Sequence, residues 1–299
     1  WPLFVGIDMG MASVGNFGTL RGRLVYTAVG EAPHRAQALA SEGQRLKTPM
    51  MDKADSSLAR MLGVLDLFTD QRLHWTAEEI SESLQVSLPT GYRYVKMLTD
   101  TGLLQRAGDA QVTLGPRIIV LDHYIRQADP VMQHGIPFMK ELVSLTGFDC
   151  VCSSLLGTQL LDTHREYSSA PANLSYGRGR PRPLFLGAAP KVILAQLSTG
   201  NLHKIMDAHT AEIAQAGLPT LWPEFRRYFA RIRKAGYYLS HGELESTLSA
   251  LAVPLVAGNG RVMGALSLVS SVQRMAVVDT SKLTPLLQRA ASDIGSRLQ

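Results

Sequence analysis

The sequence predicts an α+β protein, with a small helical unit followed by a larger domain built on an antiparallel sheet. Apolar residues recur every three or four positions over residues 57–101, and two short apolar segments then flank Gly108-Asp109. Farther along, strongly apolar stretches at 250–256 and 262–269 are joined by Gly258-Asn259-Gly260, which predicts a hairpin with a primed turn. At 299 residues, the chain has room for about two such domains.

The composition is that of an ordinary folded protein, because 45% of the residues are hydrophobic and 18% are charged. These values exclude disordered, collagen-like and coiled-coil classes. The net charge of +5 is a weak bias that permits an anionic partner. No run of 18 apolar residues and no secretory signal occurs, so no membrane association is expected. Cys150 and Cys152 are spaced poorly for a disulfide and too few for structural zinc, which favours a reducing cytoplasm.

Five segments follow from the changes in composition along the chain. Residues 1–47 alternate glycines with short apolar stretches, which predicts hairpin strands, and a helix is expected over residues 33–42. Residues 48–55 are polar and have no apolar period, so they are predicted to be a linker. The remaining segments are a first domain at 56–116, a linker helix at 117–130 and a second domain at 131–299.

Three helices are predicted in the first domain. The first carries apolar residues on one face, namely Leu58, Met61, Leu62, Leu65 and Phe68. The second begins with a capping box, because Glu79 follows Thr76 by three residues. The third runs from about residue 89 to 101, with Pro89 in its first turn and Gly102 at its end. Short strands at 103–107 and 111–114 then form a hairpin.

This order of elements is that of a winged helix-turn-helix, in which the third helix enters the major groove of DNA. Thr90, Tyr92, Arg93 and Lys96 would point outward from that helix and suit base edges and phosphate oxygens. Arg106 would lie on the wing. The alternative is a small three-helix domain that mediates protein contacts only.

The second domain alternates strands and helices. Its expected elements are strands at 150–156 and 159–163, a loop at 167–183, helices at 188–197, 202–215 and 221–235, the hairpin at 250–269, and a final helix at 281–297. The loop is rich in Ser, Pro, Gly and Arg. Together these elements predict a mostly antiparallel sheet with helices packed on it.

Residues 56–298 resemble the IclR-type bacterial transcription regulators. The resemblance is carried by "SSLARMLGVLDLF", "TAEEISESLQVSLPTGYRYVKMLTDTGLLQR", "YGRGRPRPLFLGAAPKVILAQL", "AGYYLSHGELESTLSALAVPLVAGNGRVMGALSLV" and the terminal helix. It implies an N-terminal winged helix-turn-helix, a linker helix and a GAF-like C-terminal domain that binds a small molecule. It also implies homodimers, often paired into tetramers, on palindromic double-stranded DNA operators.

The resemblance places six residues in the family's recognition helix: Ser87, Pro89, Thr90, Tyr92, Arg93 and Lys96. Tyr92-Arg93 matches the "YR" pair that is usual there. Gly91 departs from the pattern, and glycine within a helix costs about 1 kcal/mol relative to alanine. A close approach of this backbone to DNA is one explanation for the glycine.

In the second domain, the resemblance places an effector pocket between the sheet, the loop that ends at Pro183 and the start of the following helix. The candidate lining residues are Leu186, Gly187, Ala188, Ala189, His241, Glu243 and Ser249. Free amides at that helix N-terminus suit a carboxylate, so the expected effector is a small organic acid. Glu245 is a further candidate, and His241, Glu243 and Glu245 are alternatively exposed loop residues. One arginine among Arg178, Arg180 and Arg182 is a candidate for meeting an acidic effector, or else the loop is a solvated basic segment.

The sequence carries no nucleophile elbow and no His-Glu-x-x-His motif, so we expect no enzyme activity, metal or cofactor. Residues 1–47 resemble the C-terminal end of a class III nucleotide cyclase domain through "VGNFG" and "YTAVGE". His34 and Ala38 replace the family's transition-state Asn and Arg, and Val25 replaces its purine-selecting acidic residue. This segment is expected to be a cyclase-like fragment, or a leader without a fold of its own.

Two alternative functions remain at this point. One is a nucleotide-cyclase-linked signalling protein in which the regulator-like part acts as the sensor. The other is a metabolite-binding adaptor without DNA activity. The favoured interpretation is a DNA-binding transcriptional regulator that responds to a small organic acid.

Overall fold

The computed structural model describes residues 56–157 and 159–298, together with the backbone of two strands near the N-terminus. These strands, β1 (Ser13–Leu20) and β2 (Arg23–Val29), pair antiparallel, which confirms the hairpin strands expected there. The helix expected at 33–42 and the linker at 48–55 lie outside the described residues. The chain divides into two compact units, residues 1–117 and 118–299, which are described separately.

The first helix of the N-terminal unit is shorter than its apolar pattern predicts. Helix α1 (Ser57–Leu62) ends at Gly63, and a 3-10 turn follows at Leu65–Leu67. Leu58 and Leu62 are 70% and 54% exposed, so the prediction of one continuous inward face is wrong for them. The chain turns at Gly63, and Val64 takes the fully buried position instead.

The second and third helices form as their local signals predict. In α2 (Ala77–Ser83), the Thr76 hydroxyl accepts from the Glu79 amide while the Glu79 carboxylate accepts from the Thr76 amide. Helix α3 (Leu88–Asp100) begins after Ser87 with proline in its first turn. It buries Tyr94 and Leu98, which pack in one cluster with Ile80 of α2.

A three-stranded sheet completes this unit. Strands β4 (Leu104–Arg106) and β5 (Gln111–Leu114) form the predicted hairpin, and β3 (Trp75–Thr76) adds to the free edge of β5. The two-residue strand β3 was not predicted because it is too short to show an apolar period. The arrangement is a helix-turn-helix with a wing.

Gly91 packs against α2 and does not provide a close approach to DNA. The residue is buried, and a Cβ placed on it would stand 1.8 Å from Ser81 Oγ and 3.2 Å from the Ala77 carbonyl oxygen. The Ser81 hydroxyl donates to that same carbonyl at 2.6 Å. The glycine therefore lets α2 and α3 approach closely, and the sequence-based explanation that invoked DNA is wrong.

The C-terminal unit begins with two consecutive helices, α4 (Arg117–Ala128) and α5 (Pro130–Thr146). The Asp129 carboxylate between them accepts from the amides of Val131 and Met132 and so caps α5. Helix α5 buries five residues, whereas α4 buries none in the single chain, as far as the structure describes it.

The strands that the structure describes in the second unit form one six-stranded antiparallel sheet. Its strands are β6 (Asp149–Leu156), β7 (Gln159–Glu166), β8 (Pro181–Arg182), β9 (Tyr238–His241), β10 (Leu248–Val256) and β11 (Val262–Ser271). They lie in the order β8-β7-β6-β11-β10-β9. Strands β8 and β9 were not predicted, because both are short. They lie at the two edges of the sheet, where β8 pairs with β7 and β9 pairs with β10.

Helices cover both faces of this sheet. The remaining ones are α6 (Ala188–Gln196), α7 (Thr199–Ala208), α8 (Thr210–Gln215), α9 (Trp222–Ala235), α10 (Val272–Ala276) and α11 (Thr280–Gly295). Side chains alternate along β10. Leu251 and Val253 join the core under α5 and α11, whereas Ala252 joins the core under α6 and α9.

Two details of this unit correct the predictions. The helix expected over 202–215 is two helices, because the backbone leaves helical geometry at His209 (φ −128°). The hairpin between β10 and β11 does not have a primed turn. Only Gly260 of its three turn residues has a positive φ, +82°, and the pairing register shifts between Leu255 and Val256.

The two cysteines lie on β6, where both thiols are free and buried. Burial raises the pKa of the Cys152 thiol to about 12, so this thiol stays protonated and unreactive at neutral pH. None of the helices that the structure describes has the length and apolarity needed to cross a membrane.

Replacing Gly91 by alanine is expected to destabilise the helix-turn-helix by about 1–3 kcal/mol, because the added methyl group overlaps Ser81 Oγ. The Ser81→Ala substitution should recover part of this loss, since it removes the overlapping oxygen. Thermal unfolding of the single and double variants measures the coupling. Gly200→Ala is the control, because nothing lies within 4 Å of its new Cβ and alanine favours helix. Independent effects of the Gly91 and Ser81 substitutions would contradict this packing.

Candidate nucleic-acid interface and effector cavity

The outer face of α3 carries the residues predicted to meet DNA. Pro89, Tyr92, Arg93 and Lys96 are exposed, and Thr90 is half-buried at the first turn. The opposite face is the one that buries Tyr94 and Leu98, so packing fixes which side of the helix faces outward. Arg106 is exposed on the wing strand β4.

Three of these polar groups already have partners within the chain. The hydroxyls of Ser87 and Thr90 share a hydrogen bond of 2.9 Å, and Ser87 makes no side-chain cap to α3. The Tyr92 hydroxyl donates to Glu78 of α2, which lowers the pKa of Glu78 and raises that of Tyr92. A contact from Tyr92 to an acceptor on another molecule would therefore compete with Glu78.

The cations on this surface are free to meet an anion. No ion pair to Arg93, Lys96 or Arg106 occurs among the residues that the structure describes. A planar guanidinium can donate to two acceptors of a base edge or phosphate, and an ammonium serves as a point charge toward phosphates. Chemically, the surface suits the major groove of a duplex.

The predicted anion site in the second unit is occupied by a carboxylate of the chain itself. Gly187 precedes α6 with φ +88°, a conformation that favours glycine, and its amide donates to Glu243 Oε2 at 3.0 Å. The Lys191 ammonium, one turn into α6, donates to the same oxygen at 2.5 Å. Glu243 therefore binds both the start of the helix and a cation inside it.

Lys191 is the unusual member of this group, because only 4% of its side chain is exposed. Its ammonium also donates to the Tyr238 hydroxyl at 3.1 Å, and that hydroxyl donates to Glu243 Oε1 at 2.8 Å. Burial and hydrogen bonds to Tyr228 and Glu243 raise the pKa of Tyr238, so its hydroxyl remains a donor. The buried charge is thus paired and hydrogen-bonded, as its burial requires.

A small cavity lies beside this network, between the sheet and the loop that precedes α6. It encloses about 30 Å³, enough for one or two waters. Its lining residues are Val151, Leu174, Arg182, Gly187, Ser240, Leu244, Glu245, Leu248, Ser249, Ala250 and Val269. The wall is mostly apolar, with one cation, one carboxylate and two serines.

Of the seven candidate lining residues, the structure places Gly187 and Ser249 in the cavity wall, together with two further candidates, Glu245 and Arg182. Ser249 is buried and shares a hydrogen bond of 2.9 Å with the exposed His241 on the neighbouring strand. The other predicted residues lie around the cavity without lining it: Leu186 is half-buried, Ala188 and Ala189 are packed in the core, and Glu243 is bound to Lys191.

Ser240 and Lys191 were missed by the sequence analysis. Ser240 lies on the short strand β9, which carries no recognisable pattern of its own. Lys191 did have a signal, since it is the one charged or polar side chain in the run from residue 184 to 195. A lone lysine in a helix that is buried on all sides predicts a buried partner of opposite charge.

Arg182 is the one cavity-lining arginine of the three in the loop. Its side chain is 10% exposed, and its Nη1 donates to Asp162 Oδ1 at 2.7 Å. The same Asp162 oxygen accepts from the buried Ser153 hydroxyl at 2.7 Å. Arg180, by contrast, is exposed and donates to the Ser175 carbonyl oxygen.

Residues 167–180, which we call the cavity loop, are anchored at their start by Asp149. This fully buried carboxylate accepts from the amides of Ser168 at 2.7 Å and Ala172 at 2.9 Å, and from Arg165 at 2.5 Å. Burial opposes its ionisation, but these hydrogen bonds prevail and lower the pKa of Asp149. The carboxylate stays charged and fixes the base of the loop.

Residues 174–178 of the cavity loop contact the cavity, Glu245 and helix α4. Leu174 lines the cavity, and the Ser175 amide donates to Glu245 Oε1 at 2.9 Å. Arg178 donates from Nε and Nη2 to Asp122 Oδ1 of α4, at 3.0 and 2.6 Å. The loop therefore joins the cavity directly to α4.

No group of three or more His, Cys, Asp or Glu residues suited to a metal ion occurs in the described part of the chain.

Comparison with known proteins assigns a family to each of the two units of the chain. The family sequence model described as the IclR helix-turn-helix domain matches residues 57–108, and the model described as the bacterial transcriptional regulator IclR C-terminal domain matches residues 123–296. The second match alone covers more than half of the chain. Residues 1–47 lie outside both matches.

Relatives align over most of their length. The HTH-type transcriptional regulator XynR of Escherichia coli K12 is 25% identical over 78% of this chain and 93% of that protein. The Pca regulon regulatory protein of Pseudomonas putida is 24% identical over 81% and 84%. A crystal structure of an IclR homologue from Microbacterium hydrocarbonoxydans, complexed with 4-hydroxybenzoate, superposes with a TM-score of 0.64 at 23% identity, covering 81% of this chain and 99% of that one.

Replacing Glu243 by glutamine is expected to cost about 3–5 kcal/mol of unfolding free energy, because the buried Lys191 ammonium loses its counter-charge. Adding Lys191→Met should cost less than the sum of the two single losses, since the unpaired charge disappears with it. Urea unfolding followed by circular dichroism measures both. The Glu245→Gln control removes a carboxylate that accepts hydrogen bonds from the amide and hydroxyl of Ser175, and it should cost under about 1 kcal/mol. Equal losses for the two glutamate variants would contradict the buried pair.

Proposed function

Because the chain belongs to the IclR family of bacterial transcriptional regulators, we propose that α3 and the wing bind operator DNA and that a small organic acid in the cavity modulates this binding. The observation that carries the proposal is the cavity loop, which contacts both the cavity and α4. Helix α4 continues from the helix-turn-helix unit along the chain, so a change at the loop can reach the DNA-binding residues.

On the DNA side, we assign two kinds of contact. Arg93, at the centre of the exposed face of α3, reads a base edge, and Lys96 and Arg106 bind phosphates. Ser87, Pro89, Thr90 and Tyr92 complete the contact surface at the first turns of the helix. Tyr92 exchanges its bond to Glu78 for one to DNA.

On the effector side, the apolar wall with a few polar groups is typical of a small-molecule site. The presence of 4-hydroxybenzoate in a relative's structure supports an organic acid as the ligand class. Leu186, Gly187, Ala188, Ala189, His241, Glu243 and Ser249 surround or line the proposed site. A protein with this role binds DNA in the cytoplasm and needs no cofactor or catalytic activity. The GAF-like assignment, the cyclase-like fragment and the domain limits stay predictions.

We propose that α4 mediates formation of a homodimer, or of a tetramer assembled from dimers. Ile119, Tyr124 and Ile125 are 74%, 62% and 60% exposed in the single chain, and Val120 and Leu121 are exposed as well. A helix with this many exposed apolar residues gains from burial against a second copy. A symmetric dimer presents two copies of α3 to two half-sites, which calls for a palindromic operator.

Effector control follows from the contacts of the cavity loop. An organic acid that enters this small cavity contacts Leu174 and displaces the cavity loop, which strains the bond between Ser175 and Glu245. Arg178 transmits that displacement to Asp122 and thus to α4. The effector thereby changes the population of DNA-binding geometries by its differential affinity for them.

Selection of bound sequences from random duplexes is expected to yield a palindrome with half-sites about one helical turn apart. On that duplex, Arg93→Ala should weaken binding by about 1–3 kcal/mol per lost base contact. Lys96→Ala should reduce the slope of log affinity against log salt by about one per lost phosphate contact. Fluorescence anisotropy at several salt concentrations measures both effects.

The control for this experiment is Arg226→Ala, which removes an exposed cation from α9 and should leave affinity and salt slope unchanged. Failure to recover any palindrome would refute the proposed function and favour a metabolite-binding adaptor.

Breaking the contact between the loop and α4 should uncouple the two sites. A panel of benzoate, 4-hydroxybenzoate, phenylacetate and lactate identifies the acid that changes wild-type operator affinity most, by about 5–150-fold. In Arg178→Met, the same acid should still bind, but operator affinity should change little with it, because the loop no longer contacts Asp122.

Arg126→Met is the matched control, since Arg126 also binds Asp122 but lies on α4 itself. It should keep the full response to the acid. Equal responses in wild type and Arg178→Met would show that coupling takes another route.

A further inference from the structure

The guanidinium of Arg182 carries an unsatisfied donor at the wall of the cavity. The Nε atom is buried and has no hydrogen-bond partner among the residues that the structure describes. Buried polar groups are almost always hydrogen-bonded, and leaving one unpaired costs about 1–3 kcal/mol. Because Arg182 lines the cavity, an acceptor on a bound ligand that reaches this nitrogen would remove the cost.

The orientation of the guanidinium leaves one of its edges for that acceptor. Nη1 is held by Asp162, on the side away from Nε. Nη2 lies beside Gly187, since a Cβ on that glycine would be 3.5 Å from it. The Nε and Nη2 donors are parallel and match the two oxygens of a carboxylate.

The other candidate for binding an acid, the amide at the start of α6, is already satisfied. Gly187 donates to Glu243, and Glu243 is held in turn by Lys191 and Tyr238. A ligand would have to displace a paired carboxylate to reach it. The Nε of Arg182, by contrast, has no hydrogen-bond partner in the described part of the chain.

We infer that Arg182 binds the carboxylate of the effector and makes the site selective for small monocarboxylates; this inference rests on the proposed function. The rest of the lining supports the class. Glu245 is the other charged residue in the wall, and its negative charge disfavours a second carboxylate. Six apolar side chains accept an apolar body, namely Val151, Leu174, Leu244, Leu248, Ala250 and Val269.

The test compares acids with their neutral amides. Benzoate, 4-hydroxybenzoate, phenylacetate and lactate, each with its primary amide, are titrated into the full chain by isothermal calorimetry. Wild type should bind at least one of the acids, and bind it at least about tenfold more tightly than the matching amide, because only the acid forms a charge-assisted pair with Arg182.

In Arg182→Gln, the affinity for that acid should fall at least about tenfold, and the difference between acid and amide should disappear. Arg180→Gln, which removes an exposed cation from the same loop, should retain the wild-type preference. If Arg182→Gln fails to fold because Asp162 is left unpaired, Arg182→Gln/Asp162→Asn removes both charges and should show the same loss.

Three outcomes would overturn the inference: no acid binds wild type, the amides bind as tightly as the acids, or the Arg182 variants keep the wild-type preference. Binding of the selected palindrome by the ligand-free variants, measured in parallel, separates this result from failure of the proposed function. Arg182 variants should bind the palindrome like wild type, whereas a wild type without operator affinity would refute the regulator itself.

Discussion

The buried ion pair between Lys191 and Glu243 is the constraint on which the effector unit depends. An ammonium that is 4% exposed inside an apolar helix requires a counter-charge, and Glu243 supplies it from the segment between β9 and β10. The same carboxylate binds the amide of Gly187, so one side chain fixes the start of α6 against the edge of the sheet. Because Gly187 also lines the cavity, the same bond fixes that part of the cavity wall.

Because Glu243 already occupies the amide at the start of α6, we assign recognition of an acid to the neighbouring Arg182, which has a buried donor without a partner among the described residues. The cavity loop, which precedes Arg182 in the chain, also binds α4 through Arg178. In the proposed function, binding and transmission therefore use different arginines: Arg182 of β8 meets the ligand, and Arg178 of the cavity loop carries the displacement to α4.

Features that depend on a few neighbouring residues could be predicted from the sequence. The capping box at Thr76 and Glu79 and the exposed face of α3 depend on spacings of three or four residues, and both formed as predicted. The partner of Gly187 could not be predicted, because Glu243 follows it by 56 residues. The two residues come together only when β9 and β10 pair in the sheet. Gly91 is similar, since its neighbour Ser81 belongs to another helix. Among the three loop arginines, only the fold distinguishes the one that lines the cavity.

Reciprocal coupling between operator and acid tests the central claim most directly. Operator affinity is measured with and without the acid that calorimetry identifies, and acid affinity is measured with and without the operator duplex. The account predicts that both ratios depart from one by the same factor, about 5–150-fold, because linkage makes the coupling free energy common to both sites. Ratios of one in both directions, with each ligand shown to bind, would contradict the account.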